Sequence, residues 1–230
     1  MTGEWPEHLT RQSTLIPFEV LSKPITIVGA GAIGSVTALT LAKMGFSHLT
    51  VWDPDTVAIE NMNCQFYRFG DIGKTKVEAL SDLIYEFTHV EIVPHAARWN
   101  TSCPLKDVVI SAVDSMKVRA SIWSKTKKRP RFFIDARMGA EVAASYAVDT
   151  ADKAQVDAFE RTLYSDSDAV QEPCTAKATM YTAMLIGGFV AKIVKDYVMN
   201  APYVNLCLWD IRSNDMTAFR TEGEEHDDTI

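Results

Sequence analysis

The chain has 230 residues, of which 47% are hydrophobic and 23% are charged. This composition is enough to bury a substantial core in one large domain or two small ones. The formal net charge of −7 argues against a nucleic-acid-binding protein that relies on a general basic surface. The longest apolar stretch, residues 180–191, is far shorter than the roughly 20 residues of a membrane span, and no signal peptide is visible. We therefore expect a soluble, cytoplasmic protein without membrane association.

The first half of the sequence alternates short apolar strands with amphipathic helices. After a polar arm and a short helix in residues 1–23, residues 25–28 are β-branched and end at a glycine, which indicates a buried strand. A helix follows from the glycines, and the later elements continue the alternation, with strands at 49–52, 90–94, 108–113 and 131–135 and helices at 77–87 and 116–125. This alternation predicts a parallel, doubly wound sheet.

The second half has a different pattern. Residues 141–149 predict a strand that runs antiparallel to the others, and further elements follow as helices at 151–161 and 175–199 and a hairpin of 203–209 with 216–221. Residues 222–230 are acidic and are predicted to be disordered. We interpret residues 1–221 as a single α/β domain with an antiparallel C-terminal extension.

A glycine-rich turn, GAGAIG at residues 29–34, stands directly after the first strand and opens the first helix. Gly29, Gly31 and Gly34 permit a tight turn and a close approach of a phosphate, which the N–H groups of the helix N-terminus, from Ala32 onward, attract. Asp53 ends the second strand about 20 residues later, where a carboxylate can bind ribose hydroxyls. The turn and the acid predict a Rossmann-like, doubly wound nucleotide-binding fold, and NAD, FAD and ATP can all use it.

The segment that begins at Asp53 favours ATP over NAD and FAD as the nucleotide. It reads DPDTVAIENMNCQF over residues 53–66 and includes a second acid, Asp55. This closely resembles the DxDxVxxxNxxRQ signature of the ubiquitin-activating-enzyme-like adenylyltransferases of the ThiF, MoeB and HesA type. The resemblance continues in the same order with Arg11-Gln12, a GxxK at Gly73–Lys76, an acidic residue after a strand at Asp114, and the final helix and hairpin. It covers about residues 11–220.

The resemblance implies a site that joins a carboxylate to the α-phosphate of ATP and releases pyrophosphate. Such a site needs donors around the phosphates and a metal ligand, with little need for a nucleophilic side chain. Lys76 and Asn61 would then bind phosphate oxygens, Gln65 would add a neutral donor, and Asp114 would hold magnesium directly or through water. Arg11 would reach the γ-phosphate from the other subunit, so the active form would be a homodimer.

Each of these residues also has an ordinary structural interpretation. Lys76 on an exposed helical turn would be solvated, and Lys74 takes its place if the register differs by one or two residues. Asn61 commonly caps a turn. Asp114, together with Ser115, can cap the helix that follows. The shared order of the motifs favours the functional interpretation.

The sequence departs from the family signature at one position. The second arginine, immediately before Gln65, is Cys64 here, which removes a positive charge near the triphosphate and predicts reduced activity. Arg68 is a candidate to replace that arginine. The paired CxxC motifs of many family members are absent, since the four cysteines stand alone at 64, 103, 174 and 207, so we expect no structural zinc.

Two further residues are candidates for handling the substrate. Cys174 precedes the last helix, where some family members that transfer the activated carboxylate onto themselves carry a cysteine, and a helix N-terminus favours the thiolate. The alternative is a cysteine without chemistry. Arg137 follows a strand at the carboxyl edge of the sheet, where it can orient an incoming carboxylate or form a structural ion pair with Asp135.

The sequence thus predicts a homodimeric adenylyltransferase that depends on ATP and magnesium. Its substrate would be the C-terminal carboxylate of a ubiquitin-like or sulfur-carrier protein ending in diglycine, and thioester transfer could follow adenylylation. Three alternatives stay open. Adenylylation of a small carboxylate, a peptide or a tRNA base uses the same chemistry. A catalytically silent nucleotide-binding scaffold, or half of a heterodimeric activating enzyme, is a second, and an NAD-dependent oxidoreductase is a third.

Overall fold

A computed structural model describes residues 6–164 and 178–220. Two short 3₁₀ helices, Glu7–Gln12 and Phe18–Ser22, take the place of the single short helix expected in the N-terminal arm. The strands are β1 (Ile25–Val28), β2 (Leu49–Trp52), β3 (Val93–His95), β4 (Val108–Ser111), β5 (Phe132–Gly139), β6 (Val142–Asp149), β7 (Val204–Asp210) and β8 (Asp215–Arg220). The helices are α1 (Ala32–Lys43), α2 (Lys76–Thr88), α3 (Met116–Thr126), α4 (Lys153–Glu160) and α5 (Met180–Val198).

The eight strands form one sheet in the order β3-β2-β1-β4-β5-β6-β7-β8. The first five strands of this order are parallel, and β6, β7 and β8 are added antiparallel. This confirms the predicted α/β class with its antiparallel C-terminal extension. The strand order reverses at β1, whose neighbours are β2 and β4. A crevice at the carboxyl ends of the strands flanking such a reversal is where open α/β sheets bind ligands.

Two apolar clusters cover the two faces of the sheet. The larger one joins β1, β2, β4 and β5 to α1, α2 and α5, and the smaller one joins the opposite face to α3 and α4. The central strands β1, β2 and β4 are buried along their whole length. Their short apolar, β-branched runs therefore follow from burial on both faces of a parallel sheet.

Element boundaries differ from the predicted ones where tertiary pairing extends or shortens them. β5 continues past Asp135 to Gly139 because it pairs antiparallel with β6 along its whole length. α5 begins at Met180, where the Thr179 hydroxyl accepts a hydrogen bond from Thr182 N and caps the helix. Within residues 6–164 and 178–220, no helix combines the length and apolarity that a membrane span requires.

Candidate functional site

The glycine-rich turn forms a tight loop between β1 and α1. Gly29 adopts φ +100°, and a Cβ there would lie 2.4 Å from Ala112 O, so both the backbone angle and the space require glycine. A Cβ on Gly34 would lie 1.8 Å from Gly29 O. A Cβ on Gly31, by contrast, would meet nothing within 4 Å. Gly31 is also the N-cap of α1 and supplies no side-chain cap, which leaves the helix N-terminus accessible to an anion.

Asp53 ties this loop to the segment that follows β2. Its Oδ2 accepts a hydrogen bond from Ala30 N at 2.7 Å, and its Oδ1 accepts one from Asp55 N at 2.8 Å. The residue is only 6% exposed, and burial raises the pKa of its carboxyl although the two backbone hydrogen bonds oppose the shift. Each carboxylate oxygen retains a second lone pair, so the predicted contact with ribose hydroxyls stays chemically open.

Lys76 lies at the start of α2 and faces Asp55. Its Nζ lies 3.0 Å from Asp55 Oδ2, and its backbone N donates to Asp55 O at 2.9 Å. The Lys76 side chain is 9% exposed and the Asp55 side chain is 61% exposed. The lysine is therefore held in a groove by a carboxylate that reaches solvent, and a phosphate that displaces this carboxylate would find the ammonium already in place.

A cavity of about 440 Å³ brings several of the predicted residues together. It is lined by Pro54, Asp55, Thr56, Ala58, Glu60, Asn61 and Lys76. Lys74 is not among them, since its Nζ pairs with Asp82 at 2.9 Å and with Asp71 at 3.5 Å. The structure thus resolves which of the two lysines lines the cavity.

Asn61 combines a structural role with a position in the lining of the cavity. Its Oδ1 accepts a hydrogen bond from Ala58 N at 2.9 Å, which is the turn cap that its residue type suggests. The amide Nδ2 of Asn61 has two N–H groups to offer a ligand in the cavity. The nearby Gln65 Oε1 is buried, and no described residue donates a hydrogen bond to it. A donor from a ligand or a second subunit would relieve the cost of that buried acceptor.

The positions around the missing arginine carry no replacement charge for the cavity. Cys64 is buried, and burial raises the pKa of its thiol against the opposing effect of the Lys76 ammonium. Arg68 is held elsewhere, since its Nε donates to Asp71 Oδ2 at 2.9 Å and its Nη1 pairs with Glu86. The expectation that Arg68 substitutes for the missing arginine therefore gains no support from its contacts.

Asp114 follows β4 at the same carboxyl edge of the sheet as the glycine-rich turn and is exposed. The cap of α3 is Ser115, whose hydroxyl accepts a hydrogen bond from Val118 N at 3.3 Å, so capping does not require the Asp114 carboxylate. Among the described residues, no group of three or more His, Cys, Asp or Glu side chains forms a metal site. One exposed carboxylate still fits magnesium, which binds through one or two carboxylates together with phosphate oxygens and water.

A buried arginine that the sequence analysis did not single out holds the loop before Asp114. Arg119 is 3% exposed, and its guanidinium donates to Val113 O and to Asp135 Oδ1, both at 2.5 Å. Arg137 Nε completes the ion pair at 2.7 Å from Asp135 Oδ2. The sequence signal for Arg119 is weak, because an arginine on a helix is usually exposed and its carboxylate partner lies on another element.

Arg137 has a structural role in this arrangement. Besides Asp135, its guanidinium donates to Thr162 O at 3.2 Å and to Thr162 Oγ1 at 3.0 Å, and it lies 4.4 Å above the Tyr146 ring. Of the two interpretations of Arg137, the ion pair is the one that these contacts favour.

Arg11 lies far from the glycine-rich turn of its own chain. It is exposed in the last turn of the 3₁₀ helix Glu7–Gln12, and Gln12 Nε2 donates to Met44 O at 2.5 Å, which attaches this arm to the C-terminal end of α1. The glycine-rich turn is at the opposite end of α1, which is 12 residues or about 18 Å long. An arginine side chain does not span that length.

Cys174 lies outside the described residues, and so does the acidic segment 222–230, so both predictions about them stay predictions. The other three cysteines, at 64, 103 and 207, are buried and free.

Comparison with known proteins gives a consistent set of relatives. A model of the ThiF family matches residues 19–229. The ubiquitin-like modifier-activating enzyme 5 of Caenorhabditis briggsae is 33% identical in an alignment 121 positions long, which covers 45% of this chain and 28% of that protein. The NEDD8-activating enzyme E1 catalytic subunit of Arabidopsis thaliana is 41% identical in an alignment 76 positions long, which covers 32% of this chain and 17% of that protein. The chain thus spans less than a third of these two relatives.

Two solved structures share the fold at low sequence identity. Escherichia coli MccB, crystallised with AMPCPP and MccA, superposes with a TM-score of 0.71 at 15% identity, covering 87% of this chain and 64% of that one. PaaA superposes with a TM-score of 0.73 at 17% identity, covering 95% of this chain and 74% of that one.

Proposed function

This chain is a member of the ThiF family, and on that premise we propose that it activates a carboxylate by ATP-dependent adenylylation. The proposed substrate is the C-terminal carboxylate of a ubiquitin-like or sulfur-carrier protein that ends in diglycine. The names of two relatives support this class, since they are activating enzymes for a ubiquitin-like modifier and for NEDD8. MccB, crystallised with MccA, supports the alternative of a different carboxylate substrate.

The observation that carries the proposal is a continuous chain of hydrogen bonds from the phosphate loop to the lysine. Ala30 N donates to one oxygen of Asp53, and the other oxygen accepts from Asp55 N. The Asp55 carboxylate then accepts from Lys76 Nζ. These contacts hold the open helix N-terminus and the buried ammonium in one rigid arrangement, which is what the binding of a triphosphate along this edge requires.

The proposed reaction forms one bond to phosphorus and breaks another. A carboxylate oxygen of the substrate attacks the α-phosphorus of ATP, and the bond to the β-phosphate oxygen breaks to release pyrophosphate. Lys76 and the Asn61 amide would bind the phosphate oxygens on which charge accumulates, while Asp53 would orient the ribose. Asp114 would hold magnesium, which neutralises triphosphate charge.

The charges of the cavity support a dimeric active form. Its lining has two carboxylates, Asp55 and Glu60, against the single ammonium of Lys76. A triphosphate adds further negative charge, so additional cations are needed in the assembled site. Arg11 is too far from its own phosphate loop to act there, and we propose that it reaches the site of the partner subunit in a cytoplasmic homodimer.

We further propose that Cys174, if thioester transfer occurs, accepts the activated carboxylate.

A second candidate function is a nucleotide-binding scaffold without turnover. Cys64 favours it, because a buried thiol with a raised pKa stands where the family signature carries an arginine. In this case the chain would bind ATP and contribute to the site of a different catalytic partner.

ATP–pyrophosphate exchange tests the proposal and separates the two candidates. Purified protein with magnesium would be assayed with and without a carrier that ends in diglycine, alongside Asp114→Ala. Asp157→Ala serves as a matched control, because it removes a carboxylate from an exposed ion pair on α4. We expect exchange that depends on the carrier, is lost in Asp114→Ala and is retained in Asp157→Ala.

The contrary outcomes are distinct from one another. ATP binding without exchange, with any carrier, would support the scaffold. An absence of ATP binding would refute both candidates. If exchange occurs, Cys174→Ala then determines whether a thioester follows, since adenylylation itself does not need the thiol.

A further inference from the structure

A tyrosine hydroxyl contacts the phosphate loop from the segment that follows Asn61. Tyr67 Oη donates a hydrogen bond to Ala30 O at 2.5 Å, between residues 37 positions apart in the sequence. Ala30 N is held at the same time by Asp53 Oδ2 at 2.7 Å. Two successive peptide groups of the loop, on the two sides of Ala30, therefore each have one fixed partner.

The Tyr67 contact determines how the next amide is directed. A peptide group is planar and trans, so the Ala30 carbonyl and the Gly31 N–H belong to one rigid unit and point in opposite directions. By holding Ala30 O, the Tyr67 hydroxyl directs the Gly31 N–H away from itself. A Cβ on Gly31 would meet nothing within 4 Å, so this part of the loop borders open space.

Tyr67 itself is held in place by contacts that its segment makes with α1 and with the larger apolar cluster. Phe66 N donates to Ser35 Oγ at 3.2 Å, and Ser35 is fully buried in the first turn of α1. The aromatic rings of Phe66 and Tyr67 pack against the larger apolar cluster. Burial raises the pKa of Tyr67, and the nearby carboxylates of Asp53 and Asp71 raise it further, so the hydroxyl stays protonated as a donor at neutral pH.

We propose that Tyr67 is a positioning residue that orients the Gly31 amide of the phosphate loop toward an anionic phosphate group. The inference rests on the proposed nucleotide binding at this loop and deepens it, because it assigns a residue that orders the loop before the nucleotide arrives. Preorganised amides bind an anion more tightly than mobile ones, since less freedom is lost on binding.

The test compares Tyr67→Phe with Tyr203→Phe. Each variant keeps the ring and removes one hydroxyl hydrogen bond, in the second case the bond from Tyr203 Oη to Gln155 Oε1 at 3.2 Å. In the nucleotide-free protein, we expect amide hydrogen exchange of residues 30–35 to become at least about threefold faster in Tyr67→Phe and to stay unchanged in Tyr203→Phe. Unchanged exchange in Tyr67→Phe would overturn the proposal.

Binding of magnesium-ATP, measured by calorimetry, provides the second readout. We expect a dissociation constant about three- to tenfold higher in Tyr67→Phe and unchanged in Tyr203→Phe. Equal affinities of wild type and Tyr67→Phe, or an equal loss in both variants, would refute the positioning role. If the wild type fails to bind magnesium-ATP, the proposed function fails, and the exchange rates still decide whether Tyr67 orders the loop.

Discussion

Substituting Gly31 by alanine separates phosphate binding from folding at the glycine-rich turn. The residue has φ −76° and ψ −150°, which alanine can adopt, and the new Cβ would meet nothing within 4 Å. Alanine reduces the entropy of the unfolded chain, worth about 0.4–1 kcal/mol. It is also a poorer N-cap, which costs about 1 kcal/mol. These effects offset each other, so the free energy of unfolding should change by less than about 1 kcal/mol.

Binding should respond much more strongly than stability. The methyl group would occupy the space through which a phosphate approaches the N-terminus of α1. Losing one hydrogen bond to a charged group costs about 1.5–3 kcal/mol, which corresponds to binding that is about 10- to 150-fold weaker. Titration calorimetry with magnesium-ATP and thermal unfolding of the same samples measure the two quantities.

Gly34→Ala is the control for Gly31→Ala, because it adds the same methyl group where the backbone leaves no space for it. A Cβ there would lie 1.8 Å from Gly29 O, so both backbone segments would have to move. We expect this variant to lose about 3 kcal/mol or more of stability. Wild-type ATP affinity in a folded Gly31→Ala protein would refute the assignment of this loop to phosphate binding.

Three other predictions concern packing, assembly and pH. Gly187→Ala on α5 would place a Cβ 2.7 Å from a valine methyl of α1 and should destabilise the protein by about 1–3 kcal/mol. Gly188→Ala has open space and should stabilise it by up to about 1 kcal/mol in the same thermal or denaturant unfolding assay. Arg11→Ala and Lys76→Ala subunits, each inactive alone, should recover about a quarter of wild-type exchange activity when they are co-expressed. Half of the dimers are then mixed, and each mixed dimer has one intact site. An absence of recovery would contradict action of Arg11 in trans. A lysine and a tryptophan lower the pKa of Glu160 below its ordinary 4.5, so its stabilising effect is present above that pH and is lost as the pH falls. Glu160→Gln should therefore show a flatter dependence of Tm on pH between about pH 5 and 3.

Much of the fold followed from patterns that are local in the sequence. The apolar runs of β1, β2 and β4 and the helical spacing of α1 depend on neighbouring residues, and each lies within a few residues of its predicted position. Strand boundaries that depend on pairing with another strand differed more from the predicted ones. β5 is longer than predicted because its last residues pair with β6, which lies beyond the turn at residues 140–141.

The residues of the candidate site also divide into those that local sequence spacing predicted and those whose position depends on tertiary contacts. The spacing between the glycine-rich turn and Asp53 predicted a carboxylate beside that turn, where two hydrogen bonds hold it. The choice between Lys74 and Lys76 depends instead on which carboxylates lie opposite each side chain. Asp71 and Asp82 engage Lys74, while Asp55 draws Lys76 into the cavity.

The sequence by itself determined the order of strands and helices, the glycine-rich turn and the family, because these features depend on residue types at short, regular spacing. Only the tertiary structure showed that Arg137 is held by Thr162, that Tyr67 contacts Ala30, and that Arg11 lies at the far end of α1 from the glycine-rich turn. Such contacts join residues that are distant in the chain. Their geometry is decided by how the helices pack on the sheet, which no local pattern of residues encodes.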